Sequence, residues 1–279
     1  MNVAAVIGSP IKQSLSPAIH NAAFRIHGDD WIYVAFEVAP GNAAEAIRAM
    51  RTLGISGLSV TMPHKSKICD AVDHLDESAR MARSVNTVVR QPDGSLLGVN
   101  TDGEGCCNAL ESAGAVLASA KVVIIGAGGT ARAIIAAMSG RGVAEIVVIN
   151  RTESRTQDAL KISALARIGI ESDIAEANIL INCTPIGMRS VSESTIPCSS
   201  TFLRHGQFVL DAVYDPLLTP LLRESLKVGA TIIDGLDMLV HQGALQQQHW
   251  LGRLPSVEIM RTAALEELSA RSTQHAPIA

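Results

Sequence analysis

The 279-residue sequence predicts an α/β fold with two domains. In the first half, strand-like and helix-like segments alternate, which is typical of a mostly parallel sheet covered by helices. In the second half, the apolar runs are continuous rather than alternating, as in strands that are buried on both faces of a doubly wound sheet. Hydrophobic residues make up 47% of the chain, so there is enough apolar surface for two cores.

Two apolar strands open the first half of the chain. Residues 3–8 and 31–38 are rich in β-branched or aromatic side chains, and helix-like segments follow both strands. In the second of these segments, Asn42 stands three residues before Glu45, which is the pattern of a capping box. Gly54 then predicts the end of that helix.

A third strand, a hairpin and a linking helix complete this half. Residues 55–60 form the next apolar run, and residues 85–102 predict a hairpin that turns at residues 92–94. A helix over residues 103–113 then leads to the second domain, and Gly114 ends it. In the second domain, apolar runs such as KVVII and EIVVI alternate with helical segments.

Composition and charge exclude several classes of protein. The net charge of −4 and the 3% of aromatic residues argue against binding to nucleic acid. We identify no secretory signal and no apolar run of membrane-spanning length. The five cysteines lack C-x-x-C spacing, which favours a reducing cytoplasm, and we expect the adjacent Cys106 and Cys107 to pack as small apolar residues. No metal-binding motif is present, so we expect no metal.

A glycine-rich segment follows the first strand of the second half and opens a helix. Residues 126–131 read GAGGTA, the G-x-G-x-x-A pattern of dinucleotide-binding loops. Gly126 permits the tight turn, Gly128 lets the backbone approach a pyrophosphate, and Ala131 lets helix and strand pack closely. The helix N-terminus adds unpaired N–H groups and a partial positive charge. The alternative is a glycine-rich turn without a ligand, but the context predicts a Rossmann domain.

The end of the next strand indicates which dinucleotide is bound. An acidic residue there would favour NAD, but this sequence reads Asn150-Arg151-Thr152, and Arg155 follows. Guanidinium groups bind a 2′-phosphate, which a carboxylate would repel. The residues therefore predict NADP, with two solvated arginines at a strand end as the alternative.

Four polar clusters lie at the ends of elements in the first half. Each has a structural explanation of its own; Ser16 before Pro17 could cap a helix, for instance, and Asp102 could cap the next one. Together, at the carboxyl ends of strands, they would suit a small polyhydroxylated acid. The clusters are Ser14 with Ser16, Thr61 with Lys65, Asn86 with Thr87, and Asn100, Thr101 and Asp102.

Lysine and aspartate are the pair that proton transfer to an alcohol or ketone oxygen needs. Lys65 and Asp102 are therefore the candidate acid–base pair. His64 is a further acid–base candidate, although its place beside Pro63 favours a structural or outward-facing side chain.

The sequence resembles the shikimate dehydrogenase family from about residue 6 to residue 250. Nine motifs occur in the family's order, whereas the glycine loop alone would be weak evidence. They are SLSP, VTMPHK, VNT, NTDG, GAGGTARA, NRT, NCTPIGM, DAVYDPLLTPL and DGLDMLVHQGA.

The resemblance implies a reversible, NADPH-dependent reduction of 3-dehydroshikimate to shikimate in aromatic amino-acid biosynthesis, on the way to chorismate. It implies a substrate domain over residues 1–103 and 238–279, an NADP domain over 104–237, and a cleft between them. Lys65 and Asp102 would act at the substrate's C3 oxygen. Residues implied to bind the substrate are Ser14, Ser16, Thr61, Asn86, Tyr214 and Gln242. Residues implied to bind the cofactor are Gly126, Ala127, Gly128, Gly129, Thr130, Asn150, Arg151, Thr152, Arg155, Val213, Gly235 and Met238.

The sequence departs from the family's usual pattern at two places. Ser59 stands where the family usually has asparagine, and Arg83-Ser84 replaces the usual Gly-Ala. Either departure could be drift, or it could mark a paralogue that acts on quinate or aminoshikimate. A protein that binds a dinucleotide without catalysis is a further alternative, although it need not retain both Lys65 and Asp102. A monomer and a homodimer are both compatible with the sequence.

Overall fold

The computed structural model describes residues 1–274, so the end of the predicted segment 238–279 lies outside the described residues. The chain forms two compact units. The first contains Met1–Arg80, Ser84–Thr101 and the chain from Gly243 onward, and the second contains Met81–Arg83 and Asp102–Gln242.

Strands and helices alternate along most of the described chain. The strands are β1 (Asn2–Gly8), β2 (Trp31–Glu37), β3 (Gly57–Val60), β4 (His74–Leu75), β5 (Thr87–Arg90), β6 (Leu96–Val99), β7 (Lys121–Ile125), β8 (Glu145–Ile149), β9 (Ala166–Ile168), β10 (Ile179–Asn182), β11 (Phe208–Asp211) and β12 (Thr231–Ile233). The α-helices are α1 (Ser16–His27), α2 (Ala43–Leu53), α3 (Glu77–Ala82), α4 (Asp102–Ser112), α5 (Gly129–Ser139), α6 (Glu153–Leu160), α7 (Arg189–Ser192), α8 (Pro220–Lys227), α9 (Gly235–Leu251) and α10 (Val257–Gln274).

The first unit contains a mixed sheet in the order β2-β1-β3-β5-β6-β4. β1 is parallel to both β2 and β3, and β4 is parallel to β6. The predicted hairpin is present as the antiparallel pair β5–β6, and β5 is also antiparallel to β3. The prediction of a mostly parallel sheet is confirmed, with the hairpin supplying its antiparallel part.

The second unit contains a parallel sheet in the order β12-β11-β10-β7-β8-β9. Its order reverses between β7 and β10, which is the doubly wound arrangement with its switch point beside β7. Fully buried apolar side chains pack against both faces of the sheet, from α4 and α5 on one face and from α8 on the other. This burial on both faces is why the strand sequences are continuously apolar.

Helix α2 ends as predicted but begins differently. Gly54 takes the left-handed conformation with φ of 68°, which ends the helix. The predicted capping box is wrong, because the Asn42 side chain makes no capping hydrogen bond. Glu45 instead accepts a hydrogen bond from Arg48 Nη2 at 2.6 Å, so its carboxylate is used along the helix surface.

The adjacent cysteines on α4 are part of the core of the second unit. Cys106 and Cys107 are fully buried, and they pack with Ile134 and Met138 of α5. Burial raises the pKa of Cys107 to about 12, so its thiol stays protonated and unreactive at neutral pH. The prediction that this pair packs as small apolar residues is confirmed.

Candidate active site

Polar residues of the first unit gather at one edge of its sheet. β1, β3 and β6 end at this edge and β5 begins there, because β5 is antiparallel to β3 and β6. Thr61 follows β3 and Asn86 precedes β5, and Val60 N donates to Asn86 O at 2.7 Å. Val85 N donates to Lys65 O at 2.8 Å, so the backbone of the candidate lysine is fixed next to Asn86.

Thr61 is held at this edge by the end of β1. Its N–H donates to Ile7 O at 2.9 Å. A Cβ on Gly8 would lie 2.4 Å from Thr61 Cγ2, so glycine is needed there to leave room for the threonine.

The Asn86 side chain is buried and its orientation is fixed. Asn86 Oδ1 accepts hydrogen bonds from Thr101 N and from Thr87 Oγ1, both at 2.8 Å. Because a backbone N–H can only donate, the oxygen must face Thr101, and Nδ2 then donates to Thr101 Oγ1 at 2.9 Å. The amide is therefore preorganised before any ligand arrives.

The two candidate serines lie at the start of α1. The predicted capping role of Ser16 is wrong, because Leu15 occupies the N-cap position and has helical backbone angles. Ser16 N instead donates to Ser14 Oγ at 3.2 Å. Arg271 of α10 donates to the backbone oxygens of Gln13 and Ser14 at 2.7 and 3.1 Å, which anchors this turn.

His64 has a structural role. Its side chain is buried, and its Nε2 lies 2.8 Å from Val38 O, to which it donates a hydrogen bond. The structural interpretation of this histidine is confirmed, so Lys65 is the acid–base candidate of the 61–65 segment.

The glycine loop of the second unit connects β7 to α5. Its glycines differ in their backbone angles and in the space around them. Gly126 has a φ of 111°, and a Cβ there would lie 3.3 Å from Cys183 C, so its own conformation favours glycine. Gly128, the N-cap residue of α5, has φ of −77° and ψ of −173°, which any residue can adopt. Within residues 1–274, no atom beyond its chain neighbours and its own helix lies within 4 Å of a Cβ placed there. Nothing in the described protein therefore requires glycine at 128, and the backbone at the start of α5 is open to a ligand.

Substitution of these two glycines should separate folding from binding. Gly128→Ala should raise the KM for NADP by at least about tenfold, because the methyl group would keep a phosphate from the backbone amides, while the melting temperature stays at the wild-type value. Gly126→Ala should lower the unfolding free energy by about 1–2 kcal/mol, because of its positive φ. Steady-state kinetics and thermal unfolding measure both effects. A Gly128→Ala protein with unchanged cofactor kinetics would contradict this interpretation of the loop.

Asp102 is the first residue of α4 and is buried. Its Oδ2 lies 3.3 Å from Thr130 Oγ1, which donates to it from the first turn of α5. The candidate catalytic carboxylate and the candidate cofactor loop are thus joined by a hydrogen bond.

The segment after β8 presents two cationic side chains. Arg151 and Arg155 are exposed, and neither forms an ion pair with a carboxylate among the described residues. Asn150 Nδ2 donates to Thr152 O at 2.8 Å, which shapes the turn into α6. Both guanidinium groups are therefore available to bind a phosphate.

Val213 and Gly235 are in close contact in the second unit. A Cβ on Gly235 would lie 2.6 Å from Val213 O, so only glycine lets the start of α9 approach this backbone. Met238, one turn further along α9, is buried in the adjacent core. Tyr214, which is half-buried, follows Val213.

Gln242 lies on α9 beside α4. Its Nε2 donates to Leu239 O at 2.9 Å. A Cβ on Gly105 of α4 would lie 2.6 Å from Gln242 Cβ, so this glycine lets the two helices pack closely at the candidate glutamine.

Asp211, at the end of β11, is a residue that the sequence analysis did not single out. Its buried carboxylate accepts hydrogen bonds from Thr219 Oγ1 at 2.7 Å, Asn182 Nδ2 at 2.9 Å and Val213 N at 3.1 Å. Burial raises the pKa of Asp211 to about 6. The carboxylate positions the backbone of Val213. In the sequence, Asp211 directly follows an apolar strand and is the first residue of the motif DAVYDPLLTPL.

Ser59, Arg83 and Ser84 each have an unusual backbone angle or hydrogen-bonding environment. Ser59 is buried and donates to Gln246 Oε1 at 2.8 Å. Arg83 has a positive φ of 47°, in the left-handed region that favours glycine. Arg132 of α5 donates to the backbone oxygens of Ala82 and Arg83 at 2.8 and 3.1 Å. Ser84 is fully buried, and its Oγ has no hydrogen-bond partner among the described residues.

Replacing Arg83 by glycine and Ser84 by alanine should stabilise the protein. We expect Arg83→Gly to raise the unfolding free energy by about 1 kcal/mol, because it removes the left-handed strain of a side chain with a Cβ. Ser84→Ala should add about 1 kcal/mol, because it removes a buried hydroxyl without a partner. Arg80→Gly, in helix α3, is the control and should destabilise by about 1 kcal/mol. Urea unfolding measures all three, and a less stable Arg83→Gly protein would contradict the strain at this position.

Residues 1–274 contain neither a membrane-spanning helix nor a cluster of metal-binding side chains. No helix there combines the length and the apolar character that crossing a membrane demands. In the same residues, no three His, Cys, Asp or Glu side chains are grouped so that they could hold a metal ion.

Family models match three segments of the chain. Residues 6–88 match the shikimate dehydrogenase substrate binding domain, and residues 108–199 match the shikimate / quinate 5-dehydrogenase model. Residues 235–265 match the shikimate 5'-dehydrogenase C-terminal domain.

Curated relatives and solved structures resemble the chain over nearly its whole length. A shikimate dehydrogenase (NADP(+)) of Symbiobacterium thermophilum is 39% identical over 95% of this chain and 94% of its own. The enzyme of the same name from Pyrococcus abyssi is 43% identical over 96% of this chain and 99% of its own. The crystal structure of shikimate 5-dehydrogenase from Thermus thermophilus in complex with NADP(H) and shikimate has a TM-score of 0.89 and 33% identity, and covers 95% of this chain and 99% of that chain.

A doubly wound parallel sheet with a glycine-rich loop at its switch point defines a dinucleotide-binding α/β protein. The first unit adds a mixed sheet with polar side chains at one edge, where a small polar ligand could bind. The chain belongs to the shikimate dehydrogenase family.

Proposed function

We propose that this protein is an oxidoreductase that reversibly reduces 3-dehydroshikimate to shikimate with NADPH. The observation that carries the proposal is the 3.3 Å hydrogen bond between Thr130 and Asp102. It connects the candidate catalytic carboxylate to the helix that follows the candidate cofactor-binding loop. Relatives with 39% and 43% identity, both named for NADP(+)-dependent shikimate dehydrogenation, support the same activity.

Residues 1–103 with 238–279 bind the substrate in this proposal, and residues 104–237 bind NADP. Lys65 and Asp102 hold and transfer the proton at the C3 oxygen of the ring. The fixed amide of Asn86 and the hydroxyl of Thr61 orient the ring hydroxyls. The remaining substrate ligands in the proposal are Ser14, Ser16, Tyr214 and Gln242.

The residues of the second unit fit NADP. Gly128 leaves its backbone open to a pyrophosphate, and the first turn of α5 provides N–H groups. Arg151 and Arg155 are free of carboxylate partners among the described residues and would hold the 2′-phosphate. Val213, Gly235 and Met238 border the nicotinamide end. The cofactor supplies the hydride chemistry, and the protein supplies orientation and proton transfer.

Quinate is the second candidate substrate, because the model that matches residues 108–199 covers shikimate and quinate enzymes alike. Ser59 does not by itself favour quinate, since its hydroxyl is directed to Gln246 within the protein. A cytoplasmic location and a monomeric or homodimeric state belong to the same proposal.

A substrate panel tests the proposal. The purified protein is assayed with NADP and with shikimate, quinate and aminoshikimate in turn. We expect shikimate to give the highest kcat/KM. A preference for quinate or aminoshikimate would assign the chain to a paralogue, and cofactor binding without turnover of any of the three would indicate a non-catalytic protein.

A further inference from the structure

A buried carboxamide on α9 contacts both β3 and the residue before β5 in the first unit. Gln246 is 2% exposed, and its Nε2 donates to the backbone oxygen of Asn86 at 3.3 Å. A carbonyl oxygen can only accept, so the amide orientation is fixed and Oε1 must face the other way. There it accepts from Ser59 Oγ at 2.8 Å and lies 3.2 Å from His20 Nε2.

The protons of this network can be assigned from its neighbours. Gln247 Nε2 lies 3.2 Å from His20 O and 3.0 Å from His20 Nδ1. Because His20 O can only accept, the Gln247 nitrogen must face the histidine, and Nδ1 accepts from it. The ring proton is therefore on Nε2, which donates to Gln246 Oε1. Burial lowers the pKa of His20 to about 3, so the ring is neutral at physiological pH.

The imidazole ring is also held in place by stacking. It lies 4.3 Å from the Tyr33 ring, with 12° between the ring planes. The donor to Gln246 Oε1 is thus rigid, and Oε1 receives hydrogen bonds from two directions.

Gln246 holds the two strand ends that carry candidate substrate ligands. Asn86 O accepts from Val60 N as well as from Gln246 Nε2, so it joins β3, β5 and α9. Ser59 lies in β3, two residues before Thr61, which follows the strand. Further along α9, Trp250 packs on Gly57, where a Cβ would lie 2.5 Å from its ring. Helix α9 therefore contacts β3 at both Gly57 and Ser59.

We propose that Gln246 is a positioning residue for substrate binding. Its carboxamide accepts a hydrogen bond from Ser59 and donates one to the backbone oxygen of Asn86, and it thereby fixes the strand ends that carry Asn86 and Thr61. This inference rests on the proposed function, since Asn86 and Thr61 are ligands only if the substrate is bound there.

Substitution of Gln246 by methionine keeps the side-chain volume and removes the hydrogen bonds. We expect Gln246→Met to raise the KM for shikimate by about tenfold, as loss of a buried hydrogen bond to a positioning amide would, with kcat and the KM for NADP within about twofold of wild type. Gln248→Met is the control. This glutamine lies on the same helix but is exposed and outside the network of Gln246, so its substitution should leave the KM for shikimate at the wild-type value.

A second variant tests the same contact from the strand. Ser59→Ala removes the hydroxyl that donates to Gln246 Oε1, so it should also raise the KM for shikimate while the KM for NADP stays at the wild-type value. Thermal unfolding of each variant shows whether it is folded. A wild-type KM for shikimate in the folded Gln246→Met protein, or a parallel rise in the KM for NADP, would overturn the inference. An inactive wild-type protein would instead contradict the proposed function.

Discussion

Replacing Lys65 by methionine should lower kcat for shikimate oxidation by about 10²- to 10⁴-fold, the usual contribution of a positioned acid–base group. Methionine keeps the aliphatic length of lysine and removes the amine that would exchange the proton with the C3 oxygen. Lys65 is half-buried, and its backbone oxygen is fixed by Val85 N at 2.8 Å, so loss of the amine should not unfold the segment. Steady-state kinetics in both directions measure the effect.

The matched control is Lys67→Met, two residues further along the same turn. Lys67 is exposed, and its side chain has no part in the proposed site, so this variant should keep wild-type kinetics. The melting temperature of Lys65→Met and its KM for NADP should also stay at wild-type values. Near-normal kcat in a folded Lys65→Met protein would contradict the role assigned to the lysine.

The double substitution Arg151→Ala with Arg155→Ala should raise the KM for NADP by about 10- to 100-fold and leave the KM for NAD within about twofold of its wild-type value. The two guanidinium groups would contact only the 2′-phosphate, which NAD lacks. Both are exposed and have no carboxylate partner among residues 1–274, so their removal leaves no buried charge behind.

Arg223→Ala is the control for the loss of an exposed arginine elsewhere in the second unit. This arginine is exposed on α8 of the same unit, and we expect its substitution to leave both KM values unchanged. Equal loss of affinity for NADP and NAD in the double variant would show that the arginines act on the shared part of the cofactor or on folding. Unchanged kinetics with NADP would show that Arg151 and Arg155 do not bind the 2′-phosphate.

Much of the fold could be predicted because burial leaves a direct pattern in the sequence. β7, β8, β10 and β11 are buried on both faces, and their continuous apolar runs are visible without a structure. Shorter elements carried no such signal. β4 has two residues and β9 has three, which is too few for a period to be recognised.

The N-terminal helix caps predicted at Ser16 and Asn42 are wrong, since a cap depends on backbone angles as well as on residue type. Ser16 has the right side chain, but the N-cap position belongs to Leu15, with φ of −89° and ψ of −6°. Asn42 is at the N-cap of α2 with ψ of 20°, outside the extended region that directs a side chain to the first turn. Tertiary contacts set those angles.

The candidate site was predictable where its residues follow strands, and unpredictable where they meet through the fold. Thr61, Lys65 and Asn86 stand at strand ends in the sequence, and that position suggested a shared edge. Gln246 contacts Ser59 across 187 residues and His20 across 226, and one sequence contains no signal for such pairs. The partner of Ser59 therefore became visible only from the structure.

Transfer of deuterium from C3 of labelled shikimate is the most direct test of the proposed reaction. Shikimate with deuterium on C3 is incubated with the purified protein and NADP, and the reduced cofactor is analysed by NMR and mass spectrometry. We expect the deuterium to be recovered at C4 of the nicotinamide, with 3-dehydroshikimate as the other product. Absence of reduced NADP, or reduced NADP without the label, would contradict hydride transfer from this carbon.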